Sequence, residues 1–232
     1  MLSSELLSRD GFLIMDGFLT PSAVGEIVAF LEGLQFDQEA SRVRRGVVFA
    51  RRNLLGLDFI RGLVQRREIV EMVKALAPES AAVRAILFDK TGAANWTVPW
   101  HQDRAIAVRE RIDAPGFGPW SQKAGVIHVQ PPTTILRQML TLRIHADACR
   151  CDNGPLRVIA GTHNRLMDPR EIAAETEEAK QFKCEVDAGG LVVMRPLVLH
   201  ASSPAKAPGH RRVIHVEFGP ERLPGGLEWA VA

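Results

Sequence analysis

The sequence has few cysteines: Cys149, Cys151 and Cys184 are the only three in 232 residues. An odd, sparse set excludes a disulfide framework and suits a reducing compartment, so the expected location is the cytoplasm. Cys149-Arg150-Cys151 could hold a soft metal, but no second Cys/His pair stands at zinc-site spacing, and loop cysteines are the plainer reading. Long apolar runs are missing too. No window approaches the roughly 18 residues of a membrane span, and the N-terminus lacks the basic head and apolar stretch of a signal peptide. Charge of one sign is not in excess. With 29 Lys+Arg against 27 Asp+Glu, the net charge of +2 points to neither nucleic acid nor an anionic membrane as a partner. Low-complexity segments and internal repeats are lacking, which excludes disordered, collagen-like and coiled-coil chains.

What is present is an ordinary globular composition, 46% hydrophobic and 24% charged. A chain of this length buries roughly 70–75% of its unfolded surface and needs no staple. The first third reads mostly helical. Gly11–Met15 looks like a short strand, and Thr20-Pro21 is an N-cap followed by proline at the first helical position. Val24, Ile27, Val28 and Leu31 then recur at helical spacing, and a second amphipathic stretch runs from about Asp58 to Leu76. After Ser80 the pattern changes to short runs rich in Val, Ile, Leu and Thr, punctuated by Gly and Pro: 83–88, 126–129, 139–145, 156–159, 191–194, 197–199 and 213–218. The expectation is a single domain over 1–232, mainly β with flanking helices. A helical N-terminal buttress over 1–80 precedes a jelly-roll core over 81–220. The segment 104–132, rich in Pro and Gly, reads as a lid or binding loop, with a surface excursion as the alternative. Its Arg104, Arg109, Arg111 and Lys123 could recognise an anion or form a solvated face.

Seven histidines offer three His-x-Asp/Glu matches: His101-Gln102-Asp103, His145-Ala146-Asp147 and His215-Val216-Glu217. On a strand, positions i and i+2 share a face, so His101 and Asp103 converge while Gln102 turns away. One more His would complete a 2-His-1-carboxylate facial triad, which leaves open positions on a ferrous ion for oxygen activation. The C-terminal sequence selects among the three. His200 ends the run Leu197-Val198-Leu199, with Ser202 two residues on, and Arg211 opens a returning strand through Phe218. If the two strands form a hairpin, Arg211 lies near Ser202, just past His200. A buried guanidinium beside a hydroxyl is a bidentate carboxylate receptor, which 2-oxoglutarate requires.

The order His101, Asp103, His200, Ser202, Arg211 resembles the phytanoyl-CoA dioxygenase family of Fe(II)/2-oxoglutarate oxygenases. So do Asn95–Asp103, Asn153–Ile159, Gly161-Thr162-His163, His210–His215 and the opening Gly11-Phe12 with Gly17-Phe18-Leu19. Ala160-Gly161-Thr162-His163 departs slightly from the family's usual Pro-Gly-Ser-His. The resemblance implies a double-stranded β-helix (jelly-roll, cupin-like) core. It implies that His101, Asp103 and His200 bind Fe(II), that Arg211 and Ser202 bind 2-oxoglutarate, and that O2 is consumed with release of succinate and CO2. It also implies a small-molecule substrate. Asp103 is present where related halogenases carry a small residue, which favours hydroxylation.

Thr141, Arg143 and His145 share one strand face. They are candidates for co-substrate binding or for support of the ligands, with a buried, mutually satisfied polar face as the alternative. His145-Ala146-Asp147 is the internal rival of the iron site, though only 55 residues before His200 leave little room for the intervening strands. His215 reads as support or structure, and His128, His163 and His210 as solvated loop residues. Trp96, Trp100 and Trp120 could line a substrate pocket or fill the core. The reading from another class is a non-catalytic jelly-roll protein that binds a metal or a small molecule.

Overall fold

The computed structural model describes residues 2–230. Among these described residues, fourteen strands and six α-helices follow one another in chain order. Helix α1 (Leu2–Asp10) precedes β1 (Phe12–Met15), α2 (Pro21–Glu32), β2 (Ser41–Arg44) and β3 (Val47–Arg51). Then come α3 (Asp58–Val64), α4 (Arg67–Leu76), β4 (Ser80–Lys90), β5 (Val98–His101), β6 (Ile106–Val108), β7 (Trp120–Lys123) and β8 (Val126–Val129). Helix α5 (Thr133–Gln138), β9 (Leu140–His145), β10 (Leu156–Ile159), α6 (Pro169–Glu178), β11 (Gln181–Cys184), β12 (Leu191–Met194), β13 (Leu199–Ser202) and β14 (Arg211–Pro220) complete the order.

The strands form a seven-stranded sheet, β1-β12-β9-β14-β4-β3-β2, a four-stranded sheet, β11-β10-β13-β5, and a three-stranded sheet, β6-β8-β7. Every pairing among the described residues is antiparallel, and seven of the eleven join strands that are not consecutive in sequence, which is the jelly-roll arrangement expected. Helices α2 and α4 form the buttress. Thr20 caps α2, its Oγ1 accepting from the Ala23 amide at 3.3 Å, and Ala23, Ile27 and Leu31 make the buried stripe. In α4 the stripe is Ile69, Met72, Val73 and Leu76. Both stripes pack with Leu142, Ile144, Leu191, Val193, Ile214 and Val216, the outward residues of β9, β12 and β14. Because strand side chains alternate, this packing turns Thr141, Arg143, His145, Arg211, Val213, His215 and Glu217 to the other face, toward the four-stranded sheet. Leu156, Val158, Val192 and Met194 close that inner layer in an apolar cluster of their own.

Beside its helices, the N-terminal portion holds a hairpin of β2 and β3 around Arg45-Gly46, both at positive φ, which extends the large sheet through β4. Three expectations need correction. The stretch 58–76 is two helices, broken at Gln65-Arg66, rather than one. The strand expected over 197–199 is Leu199–Ser202, and it pairs with β10 and β5, whereas β14 pairs with β4 and β9. Arg211 and Ser202 therefore belong to opposite sheets and not to one hairpin. Finally, 104–132 is no open lid: β6, β7 and β8 make a sheet whose Ile106, Val108 and Val129 are fully buried.

Candidate active site

Strand β5 ends at His101, directly opposite His200 of β13, with ring centroids 4.1 Å apart. Each imidazole is oriented by its own strand: His101 Nδ1 lies 2.8 Å from the Pro99 carbonyl and His200 Nδ1 2.9 Å from that of Val198. A carbonyl only accepts, so each Nδ1 carries a proton, and each Nε2 is turned toward Asp103. Asp103 stands just beyond β5, its amide donating to the Pro196 carbonyl at 2.9 Å. Its Oδ1 is 3.8 Å from His101 Nε2, and its Oδ2 is 3.6 Å from His200 Nε2. These separations are too long for hydrogen bonds, and Oδ2 is buried without a partner.

The three ligand atoms lie within 4.8 Å of one another. Atoms about 2.1 Å from one ion stand roughly 3–4.2 Å apart, so a contraction of about half an ångström would let all three share a cation. Burial, opposed by Asp103 and reinforced by His101, depresses the His200 pKa to about 4, leaving a neutral ligand at pH 7. Burial works against the Asp103 carboxylate, but the imidazoles of His200, His215 and His101 outweigh it and hold its pKa down at about 2. As expected from the alternation, Gln102 points away from this centre. It is buried, donates to the carbonyls of Leu197 at 2.7 Å and Arg165 at 2.8 Å, and accepts from the Met167 amide at 2.9 Å.

Beside the three ligands lies a cavity of about 250 Å³, and Arg143, Ser202, Arg211 and His215 also line it. Arg211 is 3% exposed; its guanidinium donates to the Gly154 carbonyl and leaves Nε unpartnered. Gly154 is required there. Its φ is +60°, and a Cβ would come within 2.4 Å of the Ser203 carbonyl oxygen. Arg143 donates to His215 Nδ1 at 3.1 Å, and its Nε has no partner either.

Sequence reasoning missed Lys90, at the end of β4 and paired with Arg211. Lys90 is fully buried and donates to Ser202 Oγ at 3.1 Å and to the Ser203 carbonyl at 2.7 Å, with its ammonium 5.2 Å from the Trp96 ring centre. Burial first, and Arg211 next, lower its pKa to about 7. The one available signal was a lysine at the end of a β-rich run. Arg143 and Arg211 thus bring two guanidinium groups to a cavity whose carboxylate lining, among the described residues, is Asp103, and Lys90 stands behind it, bound to the lining Ser202. Such an excess suits a small dianion.

The remaining expected residues sort by geometry. Thr141 and His145 lie on the same inward face as Arg143, but neither is in the cavity lining; both are buried, and the Thr141 hydroxyl and both His145 nitrogens lack partners. The rival pair dissolves because Asp147 is bound by Arg212 at 2.7 and 2.9 Å, away from His145. His215 links Arg143 to Glu217, with Nε2 3.4 Å from Oε1, so it serves as a support. His128 and His163 are buried rather than solvated, whereas exposed His210 pairs with Asp89 at 2.9 Å. Trp96 lines the cavity, but Trp120 packs with the apolar cluster of the three-stranded sheet. Cys149 and Cys184 are buried, Cys151 is exposed, and all three are free thiols.

Comparison with known proteins places this geometry in context. The chain superposes on AviO1 from Streptomyces viridochromogenes Tue57 at a TM-score of 0.68, with 24% identity and coverage of 96% of each chain. The α-ketoglutarate-dependent carbocyclase SnoK from nogalamycin biosynthesis gives a TM-score of 0.71 at 14% identity, covering 100% of this chain and 86% of its own. EctD from S. alaskensis, solved with 2-oxoglutarate and 5-hydroxyectoine, gives 0.70 at 15% identity, covering 99% and 82%. A search of curated proteins finds no match to the sequence. The profile of the family described as phytanoyl-CoA dioxygenase (PhyH) matches residues 7–213, nearly the whole chain. The chain therefore belongs to the phytanoyl-CoA dioxygenase family, whose members are Fe(II)- and 2-oxoglutarate-dependent enzymes.

Proposed function

We propose that the whole chain acts as one catalytic domain that hydroxylates a small-molecule substrate, with His101, Asp103 and His200 as the iron ligands and Arg211 as the principal co-substrate residue. The observation that carries this reading is the convergence of two imidazole Nε2 atoms and an unpartnered carboxylate oxygen beside a buried guanidinium with a free Nε–H. The residues fit the group: two imidazoles and a carboxylate would suit ferrous iron, and all three line the cavity. Iron with 2-oxoglutarate and O2 supplies the oxidising power, yielding succinate and CO2 while a substrate C–H becomes C–OH.

The protein's part is to bind, orient and exclude water. Arg211 offers a fork to a carboxylate, and Lys90 holds the Ser202 hydroxyl ready beside it. Arg143, held by His215, adds a second guanidinium. Thr141, two residues before Arg143 and opposite Glu217 of β14, lies outside the cavity lining. Phe88, Trp96, Val98 and Leu156 supply the apolar walls that limit water. Three free thiols suit a reducing, cytoplasmic setting.

The test is succinate release. Iron-loaded protein incubated with 2-oxoglutarate, O2 and fractions of a metabolite extract should form succinate in step with loss of one metabolite and gain of its hydroxylated product. Iron-loaded protein that never consumes 2-oxoglutarate under any fraction would favour a binding protein instead.

A further inference from the structure

Several arginines away from the cavity have found partners. Of the 104–132 cations, Arg109 pairs with Glu228 and Arg111 with Asp113, while Arg104 donates to the Met167 carbonyl. Arg84 and Arg212, both largely buried, pair with Glu217 at 3.1 Å and with Asp147 at 2.7 Å. Lys90, Arg143 and Arg211 are more deeply buried, at 0%, 8% and 3% exposure, and none of them forms an ion pair among the described residues. Buried cations without a counter-ion are destabilising unless an anion completes them. Arg143 and Arg211 line the cavity, and Lys90 reaches it through Ser202.

The hydrogen bonds of Lys90 fix the polarity of that link. An ammonium has three N–H donors and no acceptor. It donates to Ser202 Oγ at 3.1 Å and to the Ser203 carbonyl at 2.7 Å, and it stands 5.2 Å from the Trp96 ring centre. Ser202 Oγ therefore accepts, and its own hydrogen is left to donate elsewhere. That hydrogen has no acceptor among the described residues, and Ser202 lines the cavity, so it is available to an acceptor bound there. A neutral amine could instead accept from the hydroxyl and draw its hydrogen out of the cavity. Strand register holds the group in place. Lys90 stands opposite Arg211, and Ser202 opposite Leu156 and Val98, both walls of the cavity.

The charged and titratable groups around Lys90 are Arg211 from β14, Arg143 from β9 and the Cys149 thiol beyond β9, while β13 offers it Ser202 and Ser203. Burial pushes the Cys149 thiol up, so it stays neutral, and Arg143, lowered to about 10, stays charged. Lys90, lowered to about 7 by burial and then by Arg211, is the member of this cluster that titrates near neutrality.

We propose that Lys90 is a positioning residue of the co-substrate site: its ammonium commits the Ser202 hydroxyl hydrogen to the cavity, and capture of a carboxylate there draws one proton from solvent onto Nζ. This role rests on the oxygenase reading and adds to it a proton-coupled selection for a co-substrate with a second carboxylate. An anion beside Ser202 and Arg211 offsets the repulsion among the three cations, so the ammonium form persists to higher pH with the anion bound than without it. Co-substrate affinity is therefore full below pH 7 and falls as pH rises toward 9.

Calorimetry on the full chain loaded with Co(II) tests it by comparing 2-oxoglutarate with 2-oxopentanoate, which has the same keto acid end and no distal carboxylate. At pH 8, in buffers of different ionisation enthalpy, 2-oxoglutarate should bind with uptake of about half a proton or more, and 2-oxopentanoate with none. Lys90→Met should abolish the uptake, weaken 2-oxoglutarate about tenfold and leave 2-oxopentanoate within about twofold. In a Ser202→Ala background the same substitution should weaken 2-oxoglutarate by a clearly smaller factor. Absence of uptake with 2-oxoglutarate, equal uptake with both keto acids, equal weakening of both by Lys90→Met, or full additivity with Ser202→Ala would overturn the proposal. The uptake comparison uses the unaltered chain and decides the matter even if Lys90→Met misfolds. Binding of both keto acids without a difference in uptake overturns the role of Lys90 and leaves the oxygenase reading standing. Failure of both to bind the Co(II)-loaded chain overturns the two together.

Discussion

Gln102 sits between two of the proposed ligands, and replacing it with methionine separates the support of the site from its chemistry. Methionine nearly conserves the volume but can neither donate nor accept as the amide does. The Met167 amide and the carbonyls of Leu197 and Arg165 would lose a partner at 2.7–2.9 Å in a side-chain environment that is 4% exposed. Each orphaned buried group costs about 1–3 kcal/mol. Partial relaxation leaves an expected loss of about 3–5 kcal/mol, hence a fall in Tm of roughly 10 °C for a domain of this size. The same bonds tie the 101–103 segment to the chain entering β13, so ligand spacing should loosen too. Affinity for Co(II), a stand-in for ferrous iron, should fall about 10–100-fold, as for other lost supports of metal ligands. Thermal unfolding with parallel Co(II) titration of the folded variant measures both. A Tm within about 2 °C of wild type would refute the hydrogen-bond argument. Unchanged Co(II) affinity in a destabilised protein would refute the positioning argument.

Arg211→Ala should raise the 2-oxoglutarate requirement about 10–100-fold, equivalent to the roughly 1.5–3 kcal/mol of a charge-assisted pair, with a smaller effect on kcat; steady-state succinate release reads the split. Gly154→Ala, forced to φ +60° with its Cβ 2.4 Å from the Ser203 oxygen, should destabilise by about 2 kcal/mol or more and weaken co-substrate binding, both visible by calorimetry. Burial, with Arg143 and Arg211 nearby, depresses the His145 pKa to about 3. The unfolded chain therefore takes up a proton at His145 near pH 6.5 that the folded chain refuses. The corresponding stability is intact above pH 6.5 and is lost as pH falls toward 3, on the order of 3–5 kcal/mol in all. His145→Met should flatten the fall in urea stability between pH 6.5 and 4, and an unchanged slope would contradict it.

Much of this architecture was legible in the residues because period-two alternation is a local property. His101 and Asp103 fall together and Gln102 opposite, as strand geometry dictates, and Thr141, Arg143 and His145 share the inward face of β9. The 83–88, 156–159 and 191–194 runs lie within or coincide with strands β4, β10 and β12. Sheet assignment is a long-range property, and there the reading failed. Sequence proximity favoured a hairpin between the 197–199 run leading to Ser202 and a returning strand over Arg211–Phe218, but the jelly-roll topology sends the two strands to opposite sheets. The Pro and Gly of 104–132 read as lid punctuation because turns and lids use the same residues; the hairpin turn at Ala124-Gly125, both at positive φ, is what they encode. Arg45-Gly46 gave the same kind of signal and was overlooked between charged flanks. Lys90 was hidden for another reason: a buried lysine is rare, and only its partners across the barrel explain it.

Anaerobic titration with Fe(II) in the presence of 2-oxoglutarate tests the shared ferrous site most directly. One equivalent of iron per chain should produce a weak visible charge-transfer band in the wild-type protein and none in Asp103→Ala or His200→Ala at the same iron concentration. A band of full intensity in either folded variant would contradict the assignment of that residue as an iron ligand.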